Sequence, residues 1–309
     1  MSKLNWTASD IPDQTNRRAI VTGANSGIGF HTALELARHG ATVVLASRDP
    51  RKAAEAAARI QKEIPSARLE RSTLDLASLA SIQAFATTQT GIPIDLLIHN
   101  AGVMAPPQRK ETQDGFEIQF GTNVLGHFAL TALLLPQLTP AARVVTLTSI
   151  AHKSGKLDFA DLQSRTRYNP MRAYQQSKLA DLMFAFELQR RLTLAGSTVR
   201  SIAAHPGIAN TNLFHSPDHN PLATAARHFM GWIFDRFLNS QASGALPTLY
   251  AATAPEAEAG GFYGPQGLQE MRGGDVGPAK VAPQARDLAA AAHLWIVCEQ
   301  LTGLLLLSA

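Results

Sequence analysis

The segment YQQSK contains the pair of residues in this sequence best suited to acid–base chemistry. On a helix, Tyr174 and Lys178 share one face, about 6 Å apart along the axis. A phenol with a pKa of about 10 is a poor acid–base catalyst at neutral pH, but a neighbouring ammonium favours the phenolate. The spacing therefore predicts a tyrosine that transfers a proton and a lysine that tunes it.

A serine near the predicted end of a strand extends this pair. Ser149 ends the apolar run VVTLTS, upstream of Tyr174 in the chain. If the strand end adjoins the helix, a hydroxyl, a phenol and an ammonium surround one small volume. Thr148 and Ser154 are the alternatives to Ser149, and Thr148 should point to the opposite face because side chains alternate along a strand.

Three glycines follow the first apolar run, in the segment TGANSGIG at residues 22–29. Glycine costs about 0.5–1 kcal/mol relative to alanine inside regular structure, so three together indicate a tight turn or a close approach. A helix N-terminus that begins there offers unpaired N–H groups to a pyrophosphate. The spacing G-x-x-x-G-x-G differs from the usual G-x-G-x-x-G, and a strand-to-helix turn without ligand is the alternative.

Strands and helices alternate along the chain and must position these residues. Runs that are apolar on both faces suit a parallel sheet covered by helices on each side. We therefore predict a doubly wound α/β fold with about seven parallel strands. The predicted strands are RAIVTG, ATVVLAS, ARLERSTLD, IDLLIHN, ARVVTLTS, VRSIAAH and GGFYG, and the predicted helices span 29–39, 50–63, 76–88, 115–137, 172–195, 239–252 and 284–301.

Length and composition indicate a single globular domain over residues 1–309, with an N-terminal extension at 1–16. The chain is 45% hydrophobic and 17% charged, enough to build a core without disulfides or metal. The basic residues behind the net charge of +4 occur in small scattered groups, which argues against nucleic-acid binding.

Cysteine usage and hydropathy predict the compartment. Cys298 is the only cysteine, which excludes an internal disulfide and a cysteine-built zinc site and fits a reducing compartment. The N-terminus lacks the apolar run of a secretory signal, and no apolar run reaches the roughly 20 residues that a membrane span needs. We predict a cytoplasmic protein with no membrane span and no metal, in which Cys298 packs as a small hydrophobe.

Two further segments support ligand binding at one end of the sheet. Asn100, Ala101 and Gly102 follow the strand IDLLIH, at the edge where open α/β sheets bind ligands, although an ordinary strand-ending turn would look the same. NVLGHF follows inside a predicted helix and begins with Asn123.

With LTSIAH and HPGIANT added in chain order, the sequence resembles the short-chain dehydrogenase/reductase family over nearly all its length. TGANSGIG, LASRD, NVLGHF and SIAH are similar to its retinol dehydrogenase-like branch, and WTASDIPDQTNR to bacterial members of that branch. The resemblance implies a Rossmann fold and an oxidoreductase. The interval between Ser149 and Tyr174 is longer than in the wider family, but the branch carries a similar insertion, here HKSGKLDFADLQSRTRYNPMR.

The resemblance also implies site roles. Tyr174 is the acid–base group, Ser149 hydrogen-bonds the reacting oxygen, and Lys178 holds the ribose. Asn123 binds a water that connects Lys178 to solvent; a polar residue that kinks its helix is the alternative. The implied cofactor contacts are Gly23, Asn25, Ser26, Gly27, Ile28, Gly29, Asp75, Leu76, Asn100, Ala101, Gly102, Tyr174, Lys178, Pro206, Gly207, Ile208 and Thr211, with Asp75 and Leu76 along the adenine and Ile208 and Thr211 near the nicotinamide.

The segment LASRD decides the preferred cofactor. A carboxylate at the end of the second strand would chelate the ribose hydroxyls of NAD, whereas a basic residue accommodates the 2′-phosphate of NADP. Ser47 and Arg48 occupy that end, and Asp49 is predicted to cap the next helix because Pro50 suits a first helical position. The sequence favours NADP over NAD, with Ser47 and Arg48 as phosphate contacts.

The substrate should contact the segment after HPGIANT, which in the family covers the substrate and here spans 211–240. Its large apolar residues predict a pocket for a hydrophobic alcohol, ketone or aldehyde, as in a carbonyl reductase. Core contacts, or a subunit interface in a homo-oligomer, are the alternative. These residues are Phe214, Phe229, Met230, Trp232 and Phe234.

Two other functions share parts of this pattern. A non-catalytic dinucleotide sensor could use the same fold, but such proteins can lose the acid–base group, and this chain retains Ser149, Tyr174, Lys178 and Asn123. Epimerases and dehydratases share Tyr-x-x-x-Lys, but they usually have a different glycine spacing and a longer C-terminal substrate region.

Overall fold

Eight strands of the described residues form one sheet. The computed structural model describes residues 6–207, 240–271, 273 and 275–307. The strands are β1 (Arg18–Thr22), β2 (Thr42–Ser47), β3 (Arg68–Thr73), β4 (Ile94–His99), β5 (Leu138–Leu147), β6 (Arg200–Ala204), β7 (Phe262–Pro265) and β8 (Val276–Pro278). Their order across the sheet is β3-β2-β1-β4-β5-β6-β7-β8.

All neighbouring strands from β3 to β7 run parallel, and β8 runs antiparallel to β7. The predicted doubly wound parallel sheet is confirmed. The sheet has eight strands, whereas the sequence predicted about seven. The additional strand, β8, has three residues and only one large apolar side chain, Val276, so it carries no recognisable strand pattern. The strand order reverses between β1 and β4, which places a crevice at their carboxyl ends.

Helices cover both faces of this sheet. They are α1 (Gly27–Arg38), α2 (Pro50–Glu63), α3 (Leu79–Thr88), α4 (Gly126–Leu134), α5 (Pro170–Leu194), α6 (Gln241–Thr253) and α7 (Leu288–Thr302). Each corresponds to a predicted helix, and apart from α4 the ends differ by a few residues. Asn239, the predicted start of α6, lies outside the described residues.

Two hydrophobic cores explain why the strands are apolar throughout. Adjacent residues of β1 face opposite sides: Ile20 packs in the core with α3, α4, α5 and α7, whereas Val21 packs in the core with α1, α2 and α6. Such alternation across a doubly covered sheet leaves no solvent face for polar residues.

The predicted helix 115–137 is not one regular helix. Residues Phe120–Leu125 form a π-helix that leads into α4, and a 3-10 turn at Leu135–Gln137 ends the segment. A π-helix widens the backbone by one residue per turn and occurs frequently at functional sites. Asn123 lies in the middle of this widened segment.

Helix α3 begins three residues later than predicted, because local side chains cap it. Ser78 Oγ accepts a hydrogen bond from the Ser81 N–H at 3.3 Å, and Asp75 Oδ1 accepts one from the Ala77 N–H at 3.0 Å. Residues 75–77 therefore form a turn instead of the first helical turn.

Both ends of the described chain pack against the fold. Trp6 is buried with its ring edge-on to Tyr250, 5.4 Å between centroids. Cys298 is buried in α7, as predicted for a small hydrophobe, and burial raises the pKa of its thiol. None of the helices in the described residues has the length and apolar character needed to cross a bilayer.

Candidate active site

The glycine-rich turn connects β1 to α1 and uses each glycine differently. Gly23 has φ of +67°, and a side-chain carbon there would lie 3.0 Å from Cα of Ala101. A carbon on Gly29 would lie 2.5 Å from the Gly23 carbonyl oxygen and 2.3 Å from Nδ2 of Asn100. Gly27 has φ of +59°, and a carbon there would meet nothing within 4 Å. Gly23 and Gly29 therefore serve close packing, and Gly27 leaves open space.

Asn100 and Thr22 hold this turn against the end of β4. Asn100 Nδ2 donates to the Thr22 carbonyl at 2.8 Å, and Thr22 Oγ1 accepts hydrogen bonds from the N–H groups of Asn100 and Ala101 at 2.9 and 3.0 Å. The NAG segment thus fixes the glycine turn as well as ending a strand.

The N-terminus of α1 lacks a side-chain cap. Ser26 occupies the N-cap position without a side-chain hydrogen bond to the helix. Five other α-helices have such a cap, provided by Asp49, Ser78, Asn169, Ser240 and Asp287. The first N–H groups of α1, beside the open space at Gly27, are therefore left without the partner that a cap supplies.

The end of β2 presents one exposed arginine. Asp49 accepts hydrogen bonds from the N–H groups of Arg51 and Lys52 at 2.9 and 3.3 Å, so the predicted cap of α2 is confirmed. Ser47 is buried, with Oγ 3.3 Å from the Asp49 carbonyl oxygen and 3.4 Å from Asn25 Oδ1. Arg48 is exposed and has no ion pair with any described residue. The carboxylate is committed to the helix, whereas the guanidinium is available.

Asn123 connects three segments through its side chain. Its Oδ1 accepts from the Val103 N–H at 2.8 Å, and its Nδ2 donates to the Val103 carbonyl and to Ser177 Oγ, both at 3.0 Å. A carbon built on Gly102 would lie 3.3 Å from this Oδ1 and 3.8 Å from Lys178 Nζ. The structure thus brings Gly102, Asn123 and Lys178 together at the carboxyl end of β4.

Lys178 is held by two acceptors inside the protein. Its Nζ donates to the Leu147 carbonyl at the end of β5 at 3.0 Å, and to Asp181 Oδ2 at 2.7 Å. Burial opposes the ammonium, but the Asp181 carboxylate and Tyr174 raise the pKa of Lys178 above its ordinary value. Burial raises the pKa of Asp181 against the effect of Lys178, whose ammonium lies in direct contact with the carboxylate.

Ser149 lies two residues after the Leu147 carbonyl that Lys178 contacts, as the N-cap of a 3-10 helix at Ile150–Ser154. Its Oγ accepts from the Ala151 N–H at 3.2 Å. Thr148, one of the two alternatives, is buried and donates its hydroxyl to the Lys178 carbonyl at 2.6 Å. Ser154, the other, is exposed at the far end of the 3-10 helix. These contacts favour Ser149 as the serine that faces the site.

Tyr174 and Lys178 lie on α5 at the predicted spacing, and Tyr174 is half-buried. Its backbone carbonyl accepts a hydrogen bond from Ser177 Oγ at 2.9 Å, which continues the chain of contacts from Asn123. Gly155 packs directly on the carbonyl of Gln175, the next residue, where a side-chain carbon would approach to 2.5 Å. The segment that follows Ser149 therefore packs on α5 next to Tyr174 in the chain.

The long interval before Tyr174 folds onto the loop that follows NAG. Tyr168 donates to the Pro106 carbonyl at 2.7 Å, and the Gln163 side chain accepts from the Glu117 N–H at 2.7 Å. Asn169 then caps α5 through the Arg172 N–H at 3.0 Å. The insertion therefore lengthens the connection without moving the start of the helix away from the sheet.

Two histidines contact the predicted catalytic groups, although the sequence analysis did not single them out. His127 Nδ1 lies 2.9 Å from the Asn123 carbonyl, with Nε2 3.0 Å from Thr22 Oγ1. His152 Nδ1 lies 2.7 Å from the Ser149 carbonyl, with Nε2 3.4 Å from the Ala282 nitrogen. A ring nitrogen that faces a carbonyl carries the proton, so each histidine donates back to the backbone of the residue it supports. His127 lies in the motif NVLGHF and His152 in the motif SIAH.

Burial keeps these rings neutral. It lowers the pKa of His127 to about 3, and it lowers the pKa of His152. His99 stacks on His127 at 4.5 Å between centroids, and burial lowers its pKa well below the ordinary value. The histidines therefore act through fixed hydrogen bonds and not through positive charge.

The remaining predicted contacts divide between described and undescribed residues. Gly207, after β6, has φ of +70°, and its N–H donates to His205 Nδ1 at 3.2 Å. Leu76 is buried, and its carbonyl packs against Gly126, where a side-chain carbon would approach to 2.5 Å. The predicted residues Ile208, Thr211, Phe214, Phe229, Met230, Trp232 and Phe234 lie outside the described residues.

The residues present fit a nicotinamide dinucleotide. The uncapped start of α1 beside Gly27 suits a pyrophosphate, and Arg48 at the end of β2 is exposed and pairs with no carboxylate of the part of the chain that the structure describes. Gly102 and Lys178 border the same end of the sheet, where a ribose would meet an ammonium donor.

Comparison with known proteins identifies the family of the chain. The family model described as short chain dehydrogenase matches residues 17–221. The chain is 43% identical over 302 residues to polyprenol dehydrogenase of Mus musculus, covering 95% of this chain and 86% of that relative. It is 44% identical over 301 residues to retinol dehydrogenase 13 of Homo sapiens, with the same two shares.

Solved structures are also similar to this chain. An uncharacterized protein from Mycobacterium paratuberculosis superposes with a TM-score of 0.78 at 44% identity, covering 97% of this chain and 98% of that chain. RhlG of Pseudomonas aeruginosa in complex with NADP, at 23% identity and a TM-score of 0.61 over 81% of this chain and 94% of that chain, shows a shared fold alone. The chain therefore belongs to the short-chain dehydrogenase/reductase family, in its retinol dehydrogenase-like branch, and is an oxidoreductase of the kind that uses a nicotinamide dinucleotide.

Proposed function

We propose that this protein transfers a hydride between NADP(H) and a hydrophobic alcohol or carbonyl compound, with Tyr174 as the acid–base group. One observation carries the proposal. Lys178 extends from the helix of Tyr174 to the carboxyl end of β5 and lies beside Gly102 at the carboxyl end of β4. A charged donor, a phenol and a small-residue turn at one sheet edge suit a ribose with a reacting group next to it.

NADP is the favoured cofactor because of the charges at the end of β2. Asp49 is engaged as a helix cap and is not free to chelate the ribose hydroxyls that distinguish NAD. Arg48 is exposed and has no ion pair with any described residue. A guanidinium there supplies charge-assisted hydrogen bonds to a 2′-phosphate.

NADP or NADPH, when bound, accepts or supplies the hydride. In reduction, Tyr174 donates a proton to the carbonyl oxygen of the substrate; in oxidation, its phenolate accepts the proton of the alcohol. Among the described residues, Ser149 Oγ accepts a hydrogen bond from the Ala151 N–H. Because this contact uses the oxygen only as an acceptor, the Ser149 O–H is available to donate to the reacting oxygen. Asn123 and Ser177 fix the first turns of α5 through side-chain contacts, which keeps the phenol in place.

The names of the relatives narrow the substrate class. Both retinol and polyprenol are primary allylic alcohols attached to an isoprenoid chain, and the relatives that carry these names match most of this chain. The apolar residues of the segment 211–240 agree with such a substrate. We therefore propose an isoprenoid alcohol or the corresponding aldehyde.

The test is a panel of alcohols and carbonyl compounds followed by the absorbance of NADPH. Isoprenoid aldehydes should consume NADPH and yield the primary alcohol, whereas sugar substrates should be inert. NADH in parallel separates an NAD-dependent dehydrogenase from an NADP-dependent one. NADPH binding without turnover of any substrate would identify the protein as a dinucleotide sensor instead.

A cytoplasmic location and a homo-oligomeric state stay predictions from the sequence. Cell fractionation tests the first, and sedimentation of the purified chain tests the second.

A further inference from the structure

Asp181 is a buried carboxylate that the chemistry above does not use. It lies one helical turn after Lys178 on α5, and its Oδ2 accepts a hydrogen bond from Lys178 Nζ at 2.7 Å. The two side chains are 8% and 4% exposed, so water screens the pair very little. This places a carboxylate in contact with the lysine that is proposed to hold the ribose and tune Tyr174.

The contact also fixes where the ammonium points. Lys178 Nζ has three N–H donors, of which one goes to Asp181 and another to the Leu147 carbonyl. One donor is left for a ribose hydroxyl. A lysine side chain has four rotatable bonds, so this two-point anchoring reduces the freedom that binding would otherwise remove.

Other titratable groups around the pair do not compensate its charges. His127 on α4 faces Lys178, and burial lowers its pKa to about 3, so it is neutral. Cys298 on α7 faces Asp181, and burial raises the pKa of its thiol. Tyr174 is the group on α5 that shares Lys178 as a neighbour.

We propose that Asp181 is a positioning residue that anchors Lys178 and offsets its charge, which moves proton loss from the Tyr174–Lys178 pair to higher pH and widens the pH range of carbonyl reduction. The proposal rests on the proposed roles of Tyr174 and Lys178. The negative charge of Asp181 disfavours loss of a proton from Lys178 in direct contact and from Tyr174 at longer range, so the first macroscopic step of the coupled pair rises whichever group loses its proton first. Carbonyl reduction requires that Tyr174 and Lys178 both keep their protons.

The direct test is Asp181→Asn, which keeps the size and an acceptor oxygen but removes the charge. The first proton loss should move down by about one pH unit or more. The share of this step that Tyr174 carries can be followed without turnover by the tyrosinate absorbance of each protein minus that of its Tyr174→Phe counterpart, because Tyr168, Tyr250 and Tyr263 cancel in the difference. The alkaline limb of carbonyl reduction should shift in the same direction, and NADPH should bind more weakly.

Glu187→Gln is the matched control. Glu187 is a second buried carboxylate on α5 and pairs with Arg190 and Arg191 at 2.7 Å, away from Lys178. The Glu187→Gln variant loses the same charge as Asp181→Asn but should leave the tyrosinate titration and the pH profile unchanged. If Asp181→Asn does not fold because the ammonium is left unpaired, Asp181→Ser makes the same change of charge and gives a water room to solvate Lys178.

A folded Asp181 variant whose first proton loss stays in place or moves up overturns the proposal. The result is separable from the proposed function. If the tyrosinate shift occurs but wild-type protein reduces no carbonyl compound, the role of Asp181 in tuning the pair holds and the enzymatic proposal fails. If reduction is active and the titration does not move, the reverse is true.

Discussion

The glycine-rich turn and helix α5 build the same candidate site by opposite means. At the turn, the chemistry lies in the backbone: positive φ angles at Gly23 and Gly27, and helix N–H groups without a side-chain cap. On α5, the chemistry lies in side chains: Tyr174, and Lys178 held by Asp181 and the Leu147 carbonyl. The turn offers open space and backbone N–H groups to a ligand, whereas the helix offers side chains.

This difference decides how each region tolerates change. A side chain added to the turn either collides with packed neighbours or occupies the space of the ligand. A side chain removed from α5 loses chemistry but leaves the backbone in place. Substitutions at the turn should therefore divide between folding and binding, whereas those on α5 should mainly affect turnover.

The largest effect is expected on α5. Tyr174→Phe keeps the ring and removes the only proton that the residue can transfer, so turnover should fall by about 10²–10⁴-fold. NADPH affinity, measured by fluorescence titration, should stay within a few-fold. Residual turnover above about a tenth of wild type would contradict the assignment.

Tyr168→Phe is the control for this variant. That phenol donates to the Pro106 carbonyl, and burial raises its pKa to about 12, so it serves structure. Its removal should lower stability slightly and leave the ratio of turnover to bound cofactor unchanged.

The next effect separates two glycines of the turn. Gly29→Ala places a carbon 2.5 Å from the Gly23 carbonyl, an overpacking that should cost about 1–3 kcal/mol of unfolding free energy in urea titrations. Gly27→Ala meets no neighbour within 4 Å, and its left-handed backbone should cost about 1–2 kcal/mol. In addition, Gly27→Ala should lose NADPH affinity, because its methyl group enters the space beside the α1 N–H groups.

A Gly27→Ala protein that binds NADPH as wild type does would show that the open space is not part of the cofactor site. Loss of NADPH affinity in folded Gly27→Ala protein, with a loss of stability no larger than the expected cost of about 1–2 kcal/mol, would support a division of roles between the glycines.

The sequence predicted the elements well and their details less well. Strand and helix positions follow from apolar runs and 3.6-residue periodicity, which local composition carries. The π-helix around Asn123 was missed because widening depends on packing against Val103 and Ser177, residues distant in the chain. The start of α3 was missed because Asp75 and Ser78 offer local side-chain bonds that compete with the helix.

The candidate site shows the same division. The shared helix face of Tyr174 and Lys178 follows from their spacing, but the pairing of Lys178 with Asp181 is one of several i,i+3 contacts that a helix permits. The roles of His127 and His152 depend on partners in β1 and in the segment before α7, which sequence order does not reveal. A histidine three or four residues after a predicted catalytic residue was the available signal.

Burial of His127 should lower the free energy of unfolding of the protein in acid. The pKa of His127 is lowered to about 3, so between pH 6.5 and 3 the unfolded chain binds a proton that the folded chain does not. Stability is therefore full above pH 6.5 and falls as the pH decreases. From pH 7 to 5 the loss should be about 2 kcal/mol for this residue, measured by urea unfolding at both pH values.

His127→Asn should reduce this pH dependence by about that amount. Thr22→Val is the control, because it breaks the hydrogen bond to Nε2 but keeps the imidazole. It should destabilise the protein equally at pH 7 and 5. An unchanged pH dependence in His127→Asn would show that the ring is not desolvated in the folded state.

The smallest expected effect concerns the other end of the cofactor, at Arg48. A charge-assisted hydrogen bond to a 2′-phosphate is worth about 1.5–3 kcal/mol. Because Arg48 is exposed, solvent screens the contact, and we expect the lower end of this range, about a tenfold loss of NADPH affinity in Arg48→Ala. NADH, which lacks the phosphate, should bind as before.

Arg51→Ala is the matched control, since that guanidinium is 90% exposed and lies 4.0 Å from the capping Asp49. Both cofactors should be titrated at fixed, low ionic strength. Equal losses for NADPH and NADH would mean that Arg48 supports the adenine or the fold, and the preference for NADP would then have no basis in this arginine.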